Sequence, residues 1–219
     1  MSKISTNGRR LFIARHGETV FNFHGRIQGD HSFTPLTKAG FLQADEMGEG
    51  LGRYLADRGE AETHGLMPIA SDTDRALQTL SLVCEHIGVN WHQAETDARL
   101  REIDLGAWGG QYYKDLMAEI DGLLDEKTKL FTKTGAGGEY YADVAARLQS
   151  WLDDQKFEHD MIMISHGMTT RVLRGMLCGG DIAEGFDVPV GESLPQGSMV
   201  MICDGVEEIV HLGGGGERA

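Results

Sequence analysis

Short apolar runs alternate along this chain with amphipathic segments, and that alternation narrows the fold more than any other feature. "LFIA" at 11–14, "LMPIA" at 66–70 and "DMIMI" at 160–164 read as buried strands. Between them lie stretches with apolar residues at three- and four-residue steps. Residues 37–57 carry Phe41, Ala44, Met47, Leu51 and Leu55 at that spacing, with Thr37 suited to cap the start. A second helix follows Ser71 and Asp72, either of which can cap it. Its face holds Ala76, Leu77, Leu80, Val83 and Ile87, and Gly88 ends it.

Further helices are expected over 111–120, 139–154 and 168–177. Two closing strands are expected over 198–203 and 207–212, joined at the hairpin signal Asp204-Gly205. Residues 91–100 give a weaker strand signal, and 121–138 and 179–195 read as loops. The pattern predicts an α/β chain: a three-layer α/β/α sandwich around a mainly parallel central sheet. No repeat or linker divides it, so residues 1–219 are expected to form one domain with a flexible tail over about 213–219, "GGGGERA".

The net charge of −14 argues against nucleic acid or an anionic membrane surface as a partner. A local basic pocket could still draw in a small anion. No apolar stretch approaches the roughly 18–20 residues that span a bilayer. The opening "MSKISTNGRR" lacks the apolar core of a signal peptide. The three cysteines, Cys84, Cys178 and Cys203, are not spaced as metal ligands. A reduced, cytoplasmic protein is the expectation.

In a parallel sheet, ligands gather at the carboxyl ends of the strands. The polar clusters of this chain fall there: Arg15-His16-Gly17 after the first run, Ser71-Asp72 with Arg75 after the second, Ser165-His166-Gly167 after "DMIMI". Each residue has an ordinary structural alternative. His16 or His166 could be a satisfied core histidine, Arg75 a solvated helix residue, and Glu102 a surface partner of Arg101. Brought together at one sheet edge, two histidines, two arginines and a carboxylate suit a phosphoryl group. Guanidinium forks match phosphate oxygens, and amides after His16 and His166 would add donors. A neutral imidazole can attack phosphorus while a glutamate protonates the leaving alkoxide. The chain lacks HExxH, paired-cysteine spacing and GxxxxGK[ST], so metal-free chemistry with no cofactor and no metal site is expected.

"RHGET" with Asn22, then "GRIQGD", "PLTKAGFLQA", "SDTDRALQT", "LREIDLGAWGG" and "ISHGMTTR", resemble the histidine phosphatase superfamily, which includes the cofactor-dependent phosphoglycerate mutases. The resemblance implies a phosphoglycerate mutase-like fold. It implies that His16 is the nucleophile, that Arg15 and Arg75 clamp the phosphoryl oxygens with His166 completing the pocket, and that Glu102 is the proton donor. Asn22 matches a pocket-lining position, and Arg26, Gln28 and Gly29 match the loop at its rim. Gly167 falls within the "SHG" motif, and Glu18 would orient neighbours. By analogy His16 attacks as a neutral ring whose other nitrogen donates to a backbone carbonyl, and His166 is cationic when phosphate is bound. Gly17 would let backbone amides approach the phosphate.

Within the superfamily, "LREIDLGAWGG" resembles the phosphatase branch rather than the "ERxYG" form of the mutases. Tyr140 stands where that branch usually has Ser, and Glu139 would favour the helix macrodipole. The implied activity is hydrolysis of a small phosphomonoester through a phosphohistidine. Alternatives are mutase-type phosphoryl transfer, or an idle protein that binds a phosphorylated ligand. A homodimer would be unsurprising for the family. The loops 121–138 and 179–195 are expected to cover the pocket, with Lys127, Lys129 and Lys133 as cations that could meet a second anionic group.

Overall fold

The computed structural model describes residues 2–59 and 65–214. The apolar run after Arg10 forms β1 (Leu11–Arg15), which lies between β4 (Met161–Ser165) and β5 (Met199–Cys203). Outside β4 come β2 (Met67–Ala70) and the two-residue β3 (Glu95–Thr96), and outside β5 comes β6 (Val206–His211). The first four strands are parallel, β5 runs antiparallel to them, and β6, antiparallel to β5, turns back to their direction. The β5–β6 turn is made by Asp204 and Gly205, both at positive φ, as the hairpin signal requires.

Alternation along each strand divides the core. Leu11, Ile13, Met163, Val200 and Ile202 face α5 (Tyr141–Asp154) and α6 (Gly167–Cys178), where Val144, Leu148, Trp151, Val172 and Leu173 are buried. Phe12, Ala14, Ile162, Ile164 and Met199 face the other way. They meet α2 (Lys38–Ala56) and α3 (Asp74–Ile87) through Met47, Leu51, Ala76, Leu80 and Val83. The three expected layers follow from these two opposed faces.

Local signals hold at α2, where the Thr37 hydroxyl accepts from the Gly40 amide, and at the end of α3, where Gly88 is left-handed. The start of α3 differs from expectation. Thr73, not Ser71 or Asp72, occupies the cap position, because the Asp72 carboxylate is held by Arg101 at 2.6 Å. The helix expected over 139–154 begins at Tyr141, since Glu139 is turned back onto Arg147 and the Asp104 amide. Two short helices, α1 (Val20–His24) and α4 (Tyr113–Glu119), complete the set, and 121–138 and 179–195 are loops. Of the expected tail, the Gly213 amide donates to Ser198 Oγ at 2.9 Å, and residues 215–219 lie outside the described residues. Among the described residues no helix is long and apolar enough to cross a membrane.

Candidate active site

Parallel pairing of β1 with β4 places Arg15 opposite Ser165. The next residue of each strand is therefore brought alongside the other. The His16 amide donates to the Ser165 carbonyl at 3.1 Å, and the two rings lie 5.1 Å apart between centroids. Residues 150 positions apart in sequence thus share one strand-end position through register alone.

The His16 ring is 2% exposed. Its Nδ1 lies 2.7 Å from the carbonyl of Gly17, which fixes the hydrogen on Nδ1 and leaves Nε2 with its lone pair. Burial, reinforced by the Arg75 and Arg15 cations, pushes the ring well below its ordinary pKa, so it is neutral. The Gln28 side-chain amide lies 3.5 Å from Nε2. A neutral imidazole with an unprotonated Nε2, held in place from the Nδ1 side, is a competent nucleophile.

Arg15 points its guanidinium beneath the start of α6: a Cβ on Gly167 would sit 3.3 Å from its Cζ and Nε. The Nε is buried without a hydrogen-bond partner, and no ion pair engages the side chain among the described residues. A buried, unpartnered Nε–H on a cation is costly unless something anionic meets the guanidinium.

Arg75 differs from the expected clamp. It is fully buried, and it donates from Nε to His166 Nδ1 at 3.1 Å, from Nη1 to Thr34 Oγ1 at 2.9 Å and to the His31 carbonyl, and from Nη2 to the Gly29 carbonyl at 2.9 Å. Only one Nη2 hydrogen is left uncommitted. The accepted bond at Nδ1 makes His166 neutral with its hydrogen on Nε2. Burial, then Arg75 and His16, push its pKa well down. A cationic His166 would have to give up the Arg75 bond.

Glu102 is not a surface partner of Arg101, which pairs with Asp72. Its carboxylate caps α6 instead. Oε2 accepts from the Met168 amide at 3.1 Å, and Oε1 from the Thr169 amide at 3.1 Å and its hydroxyl at 3.3 Å. Those first-turn amides are therefore engaged by protein. The amides after His16 are engaged too: Gly17 donates to Thr79 Oγ1 and Glu18 to Gln43 Oε1. Gly17 serves a different end from the one expected. Its Cα packs on the α2 backbone, and a Cβ there would lie 2.3 Å from the Gly40 carbonyl oxygen. Glu18 orients a neighbour, accepting from the Thr37 hydroxyl at 2.7 Å.

These groups open into a cavity of about 250 Å³. Arg15, His16, Glu102 and Gly167 line it, with Asn22, Arg26, Gln28 and Gly29 along one side. His166 and Arg75 stand behind His16 and do not line it. Asn22 caps α1 through Thr19, Arg26 stacks on Tyr112 at 4.3 Å, and left-handed Gly29 turns its carbonyl to Arg75. Both covering loops contribute, Lys129 and Phe131 from one and Ser193 and Leu194 from the other; Lys127 and Lys133 are not among the lining residues. Sequence reasoning missed Tyr113, Arg171 and Arg174, which also line the cavity. Two arginines three apart on the buried face of an apolar helix were the signal that could have found the latter pair.

Comparison with known proteins identifies the family and the fold. The model of the histidine phosphatase superfamily (branch 1) matches residues 11–205. The chain aligns with the mycobacterial glucosyl-3-phosphoglycerate phosphatase solved with VO3 over 95% of its length and 100% of that chain, with a TM-score of 0.69 and 25% identity. An alpha-ribazole phosphatase from Shigella flexneri, 22% identical, has the same fold, with a TM-score of 0.66 over 96% and 97% of the two chains. The protein named Probable phosphoglycerate mutase GpmB of Klebsiella pneumoniae is 35% identical over 114 residues, 52% of this chain. That match spans 46% of the relative, so the chain spans about half the length of the curated relatives it matches. The family match takes in both histidines, Glu102 and every strand but the last: this chain belongs to the histidine phosphatase superfamily, branch 1.

Proposed function

We propose that the chain is a metal-independent phosphomonoesterase that works through a phosphohistidine on His16. One observation carries the reading. The unprotonated Nε2 of a neutral His16, met only by the Gln28 amide at 3.5 Å, and the guanidinium of Arg15, its Nε unpartnered, border the same cavity. A phosphoryl group set against Arg15 would be attacked by Nε2, while Arg75, with its remaining Nη2 hydrogen, adds positive charge from behind. Asn22 and Gln28 would complete the phosphoryl pocket, with Arg26, Gly29 and Gly167 at its edge. Glu102 would protonate the leaving oxygen and then take a proton from the water that cleaves the phosphohistidine. His166 holds its place as a neutral neighbour fixed by Arg75. No cofactor is required by this scheme.

Hydrolysis is favoured over phosphoryl return by the "LREIDLGAWGG" form around Glu102. The names of the curated relatives favour a mutase, over about half of their length. We assign the substrate to small phosphorylated metabolites and the protein to the cytoplasm, a reading supported by three unpaired cysteines in an acidic chain. Phosphate release from a panel of phosphomonoesters, in excess chelator, tests the proposal. Release that disappears in His16→Ala is expected. Bisphosphate-dependent isomerisation without release would make the chain a mutase, and tight phosphate binding with neither activity would make it a binding protein.

A further inference from the structure

Arg171 is 8% exposed and lines the cavity, yet no carboxylate pairs with it among the described residues. Its Nε donates to the Gly191 carbonyl at 3.0 Å, and Nη1 lies 4.0 Å from the Met168 sulfur. Nearby arginines are neutralised. Arg174 is gripped by Glu207 at 2.6 and 2.8 Å, and Arg147 by Glu139 at 3.0 Å. A guanidinium taken out of water without a close counter-charge is expensive for the fold. Glu192 and Glu102 act on Arg171 from beyond ion-pair distance, so in the cavity wall it joins Arg15 as an arginine without a bonded carboxylate.

Its place along α6 is informative. Gly167 and Arg171 are four residues apart and so share one helix face. Gly167 sits against the Arg15 guanidinium, where the phosphoryl group is placed above. The Arg171 Cβ is therefore about 5–6 Å farther along α6, one helical turn. With Nε engaged by Gly191 and Nη1 against the Met168 sulfur, Nη2 is the open donor, and it can meet an anionic oxygen. Lys129 adds a further cation to this cavity from the covering loop, and Glu102 is the carboxylate among the lining residues.

We propose that Arg171 is the binding position for a second anionic group on the substrate, foremost a carboxylate, set about one helical turn from the phosphoryl group. The inference rests on the phosphatase reading above and narrows its substrate class to phosphomonoesters of acids. Neutral sugar and alcohol phosphates would leave Arg171 buried and unmet, and would bind less well for that reason.

Matched pairs of substrates test it. 3-Phosphoglycerate and glycerol 3-phosphate differ by a carboxylate; fructose 1,6-bisphosphate and fructose 6-phosphate differ by a second phosphate. The wild-type chain is expected to favour the more anionic member of the first pair in kcat/KM. Arg171→Gln is expected to shrink that preference about 10- to 100-fold, the effect of losing a charge-assisted hydrogen bond, chiefly through KM. Arg171→Lys, which keeps the charge and most of the packing, is expected to retain part of it. A preference confined to the bisphosphate pair, and lost in Arg171→Gln, would keep the second-anion position but make phosphate its ligand. No preference in either pair, or one unchanged by Arg171→Gln, would overturn the inference. His16→Ala separates the two levels: turnover that survives it sinks the phosphatase reading itself, whatever Arg171 does.

Discussion

The Nε of Arg75 donates to Nδ1 of His166 at 3.1 Å, and this bond decides which nitrogen of the second histidine carries the hydrogen. Arg75 also ties together the Gly29 and His31 carbonyls and the Thr34 hydroxyl, so one side chain fixes both the ring and the 29–34 loop. Arg75→Met should leave these acceptors unmet in a buried place. A stability loss of about 3 kcal/mol or more is expected from a urea melt, at roughly 1–3 kcal/mol for each unsatisfied group. The nitrogen NMR shifts of His166 should lose their single-tautomer pattern. A melt within about 0.5 kcal/mol of the parent would mean these bonds contribute little.

His16 and His166 are both pushed below their ordinary value of about 6.5, chiefly by burial. A lowered folded-state pKa means that the unfolded chain takes up these protons first as pH falls. Stability from these two groups is thus full above about 6.5 and declines below it. Denaturant midpoints measured from pH 7.5 down to 5 should fall, and less steeply when His166 is replaced by Gln. The same shift keeps the His16 nucleophile neutral, so the acid limb of kcat/KM should lie below 6.5. An acid limb at 6.5 or above would contradict a buried, unprotonated His16.

Glu102 is held by the amides of Met168 and Thr169 and by the Thr169 hydroxyl, which also donates to the Arg101 carbonyl at 2.6 Å. If Glu102 is the acid, Glu102→Gln should cost about 10²–10⁴-fold on alkyl phosphates and much less on aryl phosphates, whose leaving groups need little protonation. The ratio is the informative quantity, because the glutamine nitrogen would face the Met168 donor and disturb the site for every substrate. Thr169→Val should shift that ratio in the same direction by about tenfold, the scale of a hydrogen bond to a charge. Equal losses on both substrate types would remove Glu102 from the acid role.

Gly40 at the start of α2 meets the Glu18 backbone so closely that a Cβ would lie 2.0 Å from the Glu18 carbonyl oxygen. Gly40→Ala should therefore destabilise by about 1–3 kcal/mol, since backbone on both sides must move. Because the displaced segment carries Gly17 next to His16, turnover should fall as well. Gly52→Ala on the same helix, where a Cβ meets nothing within 4 Å, is the control and should be neutral or slightly stabilising.

Much of this was legible in the sequence because it depends on short-range rules. The alternation of apolar runs and helical periods gave the three layers, and the residues following two apolar runs gave His16 and His166 at one sheet edge. Register brings those two together, and register follows from the apolar pattern of β1 and β4. What stayed hidden depends on partners far along the chain. Asp72 is drawn from its cap by Arg101, and Glu139 from the helix start by Arg147 and Asp104. Arg75 taken alone reads in sequence as a solvated helix residue, but the 29–34 loop closes over it. Nothing local to Gly17 tells that its open side faces Gly40 rather than a phosphate. Arg171 and Arg174 looked alike until the fold gave Glu207 to one of them only.

The central claim is a covalent bond between phosphorus and Nε2 of His16. Rapid quenching into base during turnover of a hydrolysed phosphomonoester, followed by mass spectrometry of the tryptic digest, reads it directly. A base-stable, acid-labile phosphoryl group on the peptide carrying His16, absent from His16→Ala, is the expected result. Turnover with no phosphorylated peptide, or with the phosphoryl group on the peptide carrying His166, would contradict the assignment.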